Sequence, residues 1–349
     1  MLKPKTSCII TNYNYADFVV DAVHSVLNQS VAFDEIIVVD DGSVDDSVQV
    51  LEQNFSDNPR VQYFSKKNGG MLSSFYEGFL KSSGDIVFFL DADDLFKNQY
   101  LEKALKMYGK TSCDFLFCAH EDFSELDKKV RQCYSQDVCL GYSILYALYN
   151  RDFYGLGSIT STVSVRRSVL EKLFPYPSLE DWVNQAENVL IYGSSLVGAK
   201  KSYLSSPLVR RRIHGDNKSL RRTIDLDKAG AASKRVHSYY HFVKLRKLKG
   251  FVLSEKMNYL PLGHEAEFKH EFLSIESPTY HVTKAYVRMI LNAPALGWSA
   301  KLSQLRAVLK HYLKYVRAHR KEDLNKFIAY ETGLTNPAEK NLGFVKGAK

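Results

Sequence analysis

Three carboxylates follow directly after an apolar run in the first third of the chain. The run covers residues 86–90, and the acids are Asp91, Asp93 and Asp94. Because clustered carboxylates repel one another, this arrangement is unfavourable unless a cation or a proton intervenes. Hard divalent ions such as Mg²⁺ and Mn²⁺ prefer oxygen ligands of this kind. The pattern therefore predicts a metal site; the alternative is an acidic loop in which Asp94 caps a helix over residues 95–108.

The segments that must position these acids alternate between strand-like and helix-like patterns. Apolar runs predict strands at residues 7–11, 35–40, 61–64 and 86–90, and helical spacing predicts helices at residues 18–27, 43–55 and 71–81. Short connections between such elements imply right-handed crossovers and a parallel sheet. Ligands bind beyond the carboxyl ends of the strands in such sheets. The acids at positions 40, 41, 91, 93 and 94 are therefore expected at one edge.

The sequence lacks the motifs of two common classes of nucleotide-binding protein. The turn after the first strand, residues 11–15, contains no glycine, which argues against a dinucleotide-binding fold. No Gly-Lys-Ser or Gly-Lys-Thr sequence follows any predicted strand, so a Walker-type phosphate loop is excluded. A phosphatase with an aspartyl nucleophile would carry its Asp-x-Asp pair after the first strand, whereas here the pair follows the fourth.

Five ordered motifs together resemble glycosyltransferase family 2. They occupy residues 7–14, 38–43, 68–70, 84–94 and 212–217, and the resemblance extends over roughly residues 5 to 220. It implies an α/β protein with the GT-A fold, in which helices flank a mostly parallel sheet. It also implies a catalytic domain at residues 1–220, followed by a helical C-terminal region at residues 221–349 with an acceptor, membrane-surface or self-association role.

The resemblance further implies which residues contact the donor, a nucleotide sugar for which uridine is the favoured nucleoside. The implied donor-binding residues are Thr11, Asn12, Tyr13, Asp41, Asn68, Gly69, Gly70, Asp91, Ala92, Asp93, Arg212 and His214. Asp91, Asp93 and His214 are the implied ligands of Mn²⁺ or Mg²⁺. Such an ion would stabilise the charge that develops on the departing nucleoside diphosphate.

Inverting transfer also needs a base that accepts the proton of the attacking hydroxyl, and a carboxylate is the expected group. Glu187 falls where the family usually has its catalytic Asp, ahead of an apolar helix. Glu180 and Asp181 are rivals a short distance upstream. The structural alternative is that these acids only interact with a helix dipole.

Composition narrows the class of protein further. The chain has 349 residues, of which 45% are hydrophobic, and this is enough for a sizeable core. It has no apolar stretch approaching the roughly 20 residues that span a bilayer, and residues 1–5 lack the apolar segment of a signal peptide. We therefore expect a cytoplasmic protein, peripheral on the inner membrane face at most. The five cysteines show no Cys-x-x-Cys spacing, which predicts reduced, packed thiols.

From about residue 225 the pattern predicts helices at residues 226–257, 266–275, 280–291 and 300–320. In the last of these, one apolar helix face is formed by Leu302, Leu305, Leu309, Leu313 and Val316. Residues 298–321 contain seven basic side chains and no acid. This composition suits an anionic membrane surface or a negatively charged acceptor. The alternative is a helix that packs on the catalytic domain with a solvated basic face, and self-association is also open.

The net charge of +8 and the pI near 9.0 raise nucleic-acid binding as a competing class. No recognised nucleic-acid module is present, so we expect no nucleic-acid partner. A GT-A-like nucleotidyltransferase is a second competitor, which would release pyrophosphate. The favoured function is inverting transfer of a sugar from a nucleotide donor to a hydroxyl of a glycan or of a lipid-linked or surface-polysaccharide acceptor.

Overall fold

The computed structural model describes residues 3–124, 127–149, 156–215, 217–255, 268–273, 275–276, 278–292 and 298–318. The chain divides into two compact units, residues 1–263 and 264–349. The predicted domain boundary at residue 220 stays a prediction, although the long helix that begins at Lys218 lies in the first unit. Parts of the predicted C-terminal helices, at residues 256–257, 266–267, 274 and 319–320, lie outside the described residues.

Among the described residues of the first unit, ten strands form one sheet. They are β1 Thr6–Asn12, β2 Glu35–Asp40, β3 Val61–Ser65, β4 Ile86–Asp91, β5 Leu95–Phe96, β6 Phe115–Phe123, β7 Lys128–Arg131, β8 Val138–Gly141, β9 Ser164–Arg166 and β10 Lys201–Arg212. Their order is β3-β2-β1-β4-β9-β6-β10-β5, with β7 beside β6 and β8 beside β10. The predicted α/β architecture is confirmed.

Eleven helices accompany these strands in the described part of the chain. They are α1 Ala16–Leu27, α2 Ser47–Phe55, α3 Met71–Lys81, α4 Tyr100–Thr111, α5 Ile144–Tyr149, α6 Arg167–Leu173, α7 Glu187–Leu196, α8 Lys218–Glu255, α9 Phe268–Leu273, α10 Tyr280–Asn292 and α11 Trp298–Ala318. Short 3-10 helices occupy Thr160–Thr162 and Leu179–Trp182. The helix α8 is interrupted at Gly230, where φ is +81°.

The sheet has a parallel half and a mixed half. In the first half, β1 lies between β2 and β4, and β3 extends the sheet beyond β2, all in parallel. Every residue of β2 is buried, as expected for a strand covered by helices on both faces. In the second half, β9 runs antiparallel between β4 and β6, while β10 runs parallel to β6.

The register of the parallel half brings three strand ends to the same level. Asn12 at the end of β1 pairs with Asp40 at the end of β2. On the other side of β1, Thr11 pairs with Asp91 at the end of β4. The carboxyl ends of parallel strands share one edge of the sheet, so the acids that follow β2 and β4 flank the end of β1, as the sequence predicted.

The alternative role for Asp94 as a helix cap is wrong. Residues 95–96 form β5, which pairs antiparallel with Val209 and Arg210 of β10. The helix α4 begins only at Tyr100. Tertiary pairing with a strand more than a hundred residues later overrides the local helical pattern at this point.

The second unit contains α9, α10 and α11. Its core includes Phe272, Tyr286, Ile290 and Val308, all of which are fully buried. Tyr286 donates a hydrogen bond from its hydroxyl to the buried carboxylate of Glu271. Among the helices of the described residues, none combines the length and the apolar character that a membrane span requires.

Candidate active site

A cavity of about 350 Å³ opens at the carboxyl edge of the parallel strands. It is lined by Thr11, Asn12, Tyr13, Tyr15, Asp41, Asn68, Gly70, Met71, Ser74, Asp91, Asp93, Asp94, Ile159, Thr160, Val183, Asn184, Gln185, Glu187, Arg211 and Asn217. The volume lies in the range typical of sites for small organic ligands. Eight of the sequence-predicted donor residues and the predicted base therefore share one cavity.

The acidic cluster on one wall has the composition of a divalent-metal site. One carboxylate oxygen from each of Asp91, Asp93 and Asp94 can be chosen so that all three lie within 4.8 Å of one another. The Oδ1 atom of Asp91 is buried and has no hydrogen-bond partner among the described residues. A buried carboxylate oxygen without a donor is unfavourable, and a cation would compensate it. The residues present therefore fit a hard ion such as Mn²⁺ or Mg²⁺.

Burial, together with the crowding of negative charge, raises the pKa values of two of these acids, Asp91 and Asp94. Burial, followed by the charges of Asp94, Asp93 and Glu187, raises the pKa of Asp91 well above its usual range. Burial and the charge of Asp93 raise the pKa of Asp94 in the same direction. Both effects disfavour the ionised forms, which is the behaviour of carboxylates gathered without a counter-ion.

Asp94 is held by donors from two other elements. Its Oδ2 accepts a hydrogen bond from the Ser161 hydroxyl at 2.6 Å, and its Oδ1 accepts one from the Arg212 backbone N–H at 3.0 Å. The Ser161 hydroxyl oxygen in turn accepts a hydrogen bond from the Asp91 backbone N–H at 3.1 Å. Asp94 thus joins β4, the 3-10 helix at Thr160–Thr162 and β10, and it fixes the orientation of its neighbours.

The acids that follow β2 are in a different environment. Asp41 accepts hydrogen bonds from the backbone N–H groups of Gly69 and Gly70 at 2.9 and 2.8 Å, and it forms an ion pair with Lys66. These contacts hold the segment after β3 against the end of β2. Asp41 also lines the cavity, so a carboxylate oxygen with remaining lone pairs is offered to a ligand.

Asp40 is satisfied entirely by protein donors around the strand ends. It accepts hydrogen bonds from Asn12 Nδ2 at 2.8 Å, from the Ser43 backbone N–H at 3.0 Å and from the Ser65 hydroxyl at 3.0 Å. The Ser43 hydroxyl also donates to Asp40. Asp40 is 1% exposed and does not line the cavity, so its role is to tie β1, β2 and β3 together.

Gly70, just before α3, packs closely against the segment that carries the predicted base, Glu187. Its φ is +86°, and a Cβ atom placed on it would lie 2.6 Å from the Cα atom of Val183. The backbone N–H of Met71 donates a hydrogen bond to the Val183 carbonyl at 3.1 Å. Only glycine accommodates both this conformation and this approach. The contact fixes the segment after Trp182 beside the start of α3.

Glu187 is the first residue of α7 and lines the cavity. Its charge contributes to the raised pKa of Asp91, which places it within electrostatic reach of the acidic cluster. Gln185, two residues before Glu187, has a φ of +62°, an uncommon conformation for a residue other than glycine. Such conformations are often found where a site must be shaped.

The rival acids lie elsewhere. Asp181 forms an ion pair with Lys247 of α8, with Nζ 2.9 and 3.2 Å from its two carboxylate oxygens. Neither Asp181 nor Glu180 lines the cavity. Among the three sequence candidates for the base, Glu187 alone shares the cavity with the acidic cluster.

Arg212 and His214 contact the cluster without lining the cavity. Arg212 Nε donates to the Asp93 carbonyl at 3.1 Å, and its terminal nitrogen pairs with Asp21 at 3.0 Å. His214 Nε2 lies 3.1 Å from Asp93 Oδ2, an oxygen that also accepts a hydrogen bond from Asn217 Nδ2 at 3.1 Å. The three carboxylates form the candidate metal cluster without His214.

Four of the residues predicted to bind the nucleotide-sugar donor do not line the cavity: Gly69, Ala92, Arg212 and His214. Ala92 is fully buried in the core, and its backbone N–H donates to the Thr11 carbonyl at 3.1 Å. The polar residues that line the cavity without having been predicted include Arg211 and Asn217. Asn217 belongs to the 212–217 motif and Arg211 directly precedes it. The motif therefore identified the correct segment but not which of its residues line the cavity. Arg211 is also held by Asp122, with its Nε 2.7 Å from Oδ1.

Several known proteins with similar sequences are named as glycosyltransferases or polysaccharide synthases. An uncharacterized glycosyltransferase of Nostoc sp. is 34% identical over 215 residues, which is 61% of this chain and 66% of that protein. The putative teichuronic acid biosynthesis glycosyltransferase TuaG of Bacillus subtilis is 36% identical over 131 residues, 36% of this chain and 52% of TuaG. Chondroitin synthase of Escherichia coli is 25% identical over 229 residues, 64% of this chain and 31% of that protein. The chain thus spans less than two thirds of the length of these relatives.

A solved structure supports the fold. The S. aureus TarS fragment 1-349, crystallised in complex with UDP-GlcNAc, superposes with a TM-score of 0.51 at 18% identity and covers 94% of this chain and 92% of that one. At this identity the similarity shows a shared fold, and the predicted GT-A architecture is confirmed. The sequence profile described as Glycosyl transferase family 2 matches residues 7–174, which contain β1 to β4, the acidic cluster and Asp41. The chain therefore carries a glycosyltransferase family 2 domain at residues 7–174.

Proposed function

We propose that this protein is a metal-dependent inverting glycosyltransferase that moves a sugar from a uridine-diphosphate donor to a hydroxyl of a glycan or of a lipid-linked surface-polysaccharide acceptor. One observation carries the proposal: the carboxylates Asp91 and Asp93 line the same cavity as Glu187. Metal ligands and a base are then within reach of one small molecule, as a single displacement requires.

The donor proposal is supported by the polar lining that follows β1, β2 and β3. Thr11, Asn12, Asp41 and Asn68 offer hydroxyl, amide and carboxylate groups to a nucleobase and a ribose. A structural neighbour was solved with UDP-GlcNAc, which favours a uridine donor for this cavity. Relatives named as chondroitin and teichuronic acid enzymes favour a polysaccharide product.

Asp91 and Asp93 would hold Mn²⁺ or Mg²⁺ in this proposal. When bound, the ion supplies Lewis-acid stabilisation to the negative charge on the departing diphosphate. Asp94 already accepts hydrogen bonds at both oxygens, so its role is to orient the cluster. His214 and Asn217 both contact Oδ2 of Asp93, and they would fix the orientation of this carboxylate. Arg211 lines the cavity and adds a positive charge for the phosphates.

Glu187 would act on the acceptor. Its carboxylate takes the proton of the acceptor hydroxyl while the hydroxyl oxygen forms the new bond at the anomeric carbon and the bond to the diphosphate oxygen breaks. The charge of Glu187 contributes to the raised pKa of Asp91, so this carboxylate lies within electrostatic reach of the proposed metal site.

The proposal is tested by comparing Glu187→Gln with Glu180→Gln. We expect Glu187→Gln to lower kcat by about 10² to 10⁴-fold, the usual contribution of a general base, and to leave donor binding intact. Activity is measured as UDP release from a panel of UDP-sugars with Mn²⁺, and donor binding as the rise in Tm on adding the donor. Glu180→Gln is the matched control and should remain active.

Three results would contradict parts of this proposal. An active Glu187→Gln enzyme together with an inactive Asp181→Asn enzyme would move the base to Asp181. Retention of the donor's anomeric configuration in the product would exclude single displacement. Release of pyrophosphate in place of UDP would identify a nucleotidyltransferase.

A further inference from the structure

The last described helix, α11, carries exposed apolar side chains. Trp298, Leu302, Leu309 and Leu313 are 72%, 50%, 44% and 48% exposed. They are separated by four, seven and four positions, which places them on one face of an α-helix. We call these four residues the apolar stripe of α11.

The opposite side of α11 packs within its own unit. Val308 is fully buried and Gln304 is 3% exposed. His311 Nε2 lies 2.7 Å from the Ile275 carbonyl oxygen, and its ring is 5.7 Å from that of Phe272 of α9. The orientation of α11 within this unit is therefore set by buried contacts, and the stripe faces away from them.

The charge on α11 has one sign. Its basic residues are Lys301, Arg306, Lys310, Lys314 and Arg317, and the helix contains no acidic residue. All of these except Lys301 are exposed. On the helical wheel, these four exposed basic residues, Arg306, Lys310, Lys314 and Arg317, fall along one flank of the apolar stripe.

We infer that the apolar stripe of α11 and its basic flank form a docking surface for an anionic lipid bilayer. In a bilayer interface the leucine side chains enter the acyl region, Trp298 lies at headgroup level and the lysine and arginine side chains meet the phosphates. This arrangement satisfies both chemical features of the helix at once.

Other occupants match only one of the two features. A second copy of the chain could cover the stripe, but it would bring another basic flank against the first with no acidic residue on α11 to compensate. A nucleic acid could bind the basic residues, but it would leave the leucine side chains without an apolar partner. Charge complementarity therefore favours the membrane.

The experiment measures binding of the full chain to vesicles, without any nucleotide sugar. Vesicles contain either phosphatidylcholine alone or equal parts of phosphatidylglycerol and phosphatidylcholine. We expect co-sedimentation with the anionic vesicles only, and weaker binding as salt is added. The chain has two tryptophans, and Trp182 is fully buried, so the emission of Trp298 reports the docking directly. A blue shift on binding should be absent in Trp298→Phe.

Two pairs of substitutions separate the contributions. The double variant Leu309→Gln and Leu313→Gln should weaken vesicle binding by at least about tenfold, because two exposed leucines no longer insert. The variant Lys310→Gln with Lys314→Gln should weaken it by about tenfold, because two charges leave the membrane surface. Lys106→Gln with Lys110→Gln removes the same charge from α4 and is the matched control, expected to bind as the unaltered chain does.

Each contrary result overturns the inference. Vesicle binding that survives both leucine substitutions places the membrane contact elsewhere. Loss of a dimer in the leucine variant, with no vesicle binding by the unaltered chain, assigns the stripe to self-association. Equal binding to both vesicle types removes the anionic component. Because no sugar transfer is measured, failure here leaves the proposed function unaffected, and failure of the proposed function leaves this inference unaffected.

Discussion

Two acidic clusters flank the end of β1, and the protein treats them in opposite ways. Asp40 and Asp41, at the end of β2, are surrounded by donors: amide, hydroxyl and backbone N–H groups and the ammonium group of Lys66. The carboxylates after β4 crowd one another, and Asp91 Oδ1 is buried without a partner. The first cluster is neutralised by protein donors, whereas the second has fewer such donors, and in our proposal a cation neutralises it.

This difference distinguishes a structural use of buried carboxylates from a functional one. The first cluster fixes the strand ends and the segment at residues 66–70, and of its two acids only Asp41 lines the cavity. The second cluster is held in an unfavourable arrangement by contacts such as those of Asp94 with Ser161 and Arg212. Unfavourable local arrangements of this kind concentrate where a ligand is bound.

The largest expected effect comes from removing a charge in the second cluster. Asp93→Asn should lower kcat by about 10³-fold, since Lewis-acid stabilisation contributes several kcal/mol to the transition state. The metal-free protein should remain as stable as before or become more stable, because carboxylate repulsion is relieved. Activity and the rise in Tm with Mn²⁺ are the measurements, and Asp46→Asn, at an exposed position, is the control. A normal Mn²⁺ response in Asp93→Asn would remove this acid from the metal site.

The first cluster should respond in the opposite way. Asp40→Ala leaves the buried amide of Asn12 and the hydroxyls of Ser43 and Ser65 without their acceptor. We expect the free energy of unfolding to fall by about 2 to 4 kcal/mol, measured by urea denaturation. The loss should not depend on Mn²⁺. A Mn²⁺-dependent loss would show that the two clusters do not differ as described.

A smaller effect is expected at the contact that joins the two sides of the cavity. Gly70→Ala forces a Cβ atom to 2.6 Å from Val183 Cα at a φ of +86°, so we expect a loss of about 1 to 3 kcal/mol and weaker donor binding. Gly109→Ala in α4 is the control, because a Cβ atom there meets nothing within 4 Å. It should stabilise the protein by about 0.5 to 1 kcal/mol. Equal stability of the two variants would contradict the close approach.

The smallest effect is a pH dependence of the metal-free protein. The pKa values of Asp91 and Asp94 are raised in the folded state, so the folded protein binds more protons than the unfolded chain. Their contribution to stability is present below the unfolded pKa and is lost as the pH rises through the folded pKa. We therefore expect the metal-free Tm to fall between acidic and neutral pH, and Mn²⁺ at neutral pH to restore it. In Asp91→Asn both trends should be reduced, and an unchanged profile in this variant would exclude Asp91 as their source.

Local sequence patterns predicted the parallel half of the sheet closely. Apolar runs that end in acids gave β2 and β4, and the register then aligned Asp40 and Asp91 beside β1, as parallel crossovers require. The helical pattern also located α9, α10 and α11 to within a few residues. It did not reveal that Leu302, Leu309 and Leu313 are exposed, because periodicity identifies an apolar face and not the partner that covers it.

The mixed half of the sheet was less accessible to prediction. Between Leu204 and Val209 the register of β10 against β6 shifts twice. Each irregularity of this kind changes which side chains face a given side of the sheet. The motif at residues 212–217 predicted Arg212 as a cavity residue. In the structure Arg211 lines the cavity, while the guanidinium of Arg212 pairs with Asp21.

The sequence by itself determined the fold family, the strand-end location of the acids and the set of three candidate bases. All three depend on local order along the chain, since a buried strand followed by carboxylates has one natural place in a parallel sheet. Only the tertiary structure distinguishes the environments of the candidate bases: Asp181 is paired with Lys247, 66 residues away in α8, while Glu187, the proposed base, shares the cavity of the acidic cluster. It also decided that one cluster is neutralised by protein donors and the other is not, since those donors come from elements distant in sequence and their positions depend on packing.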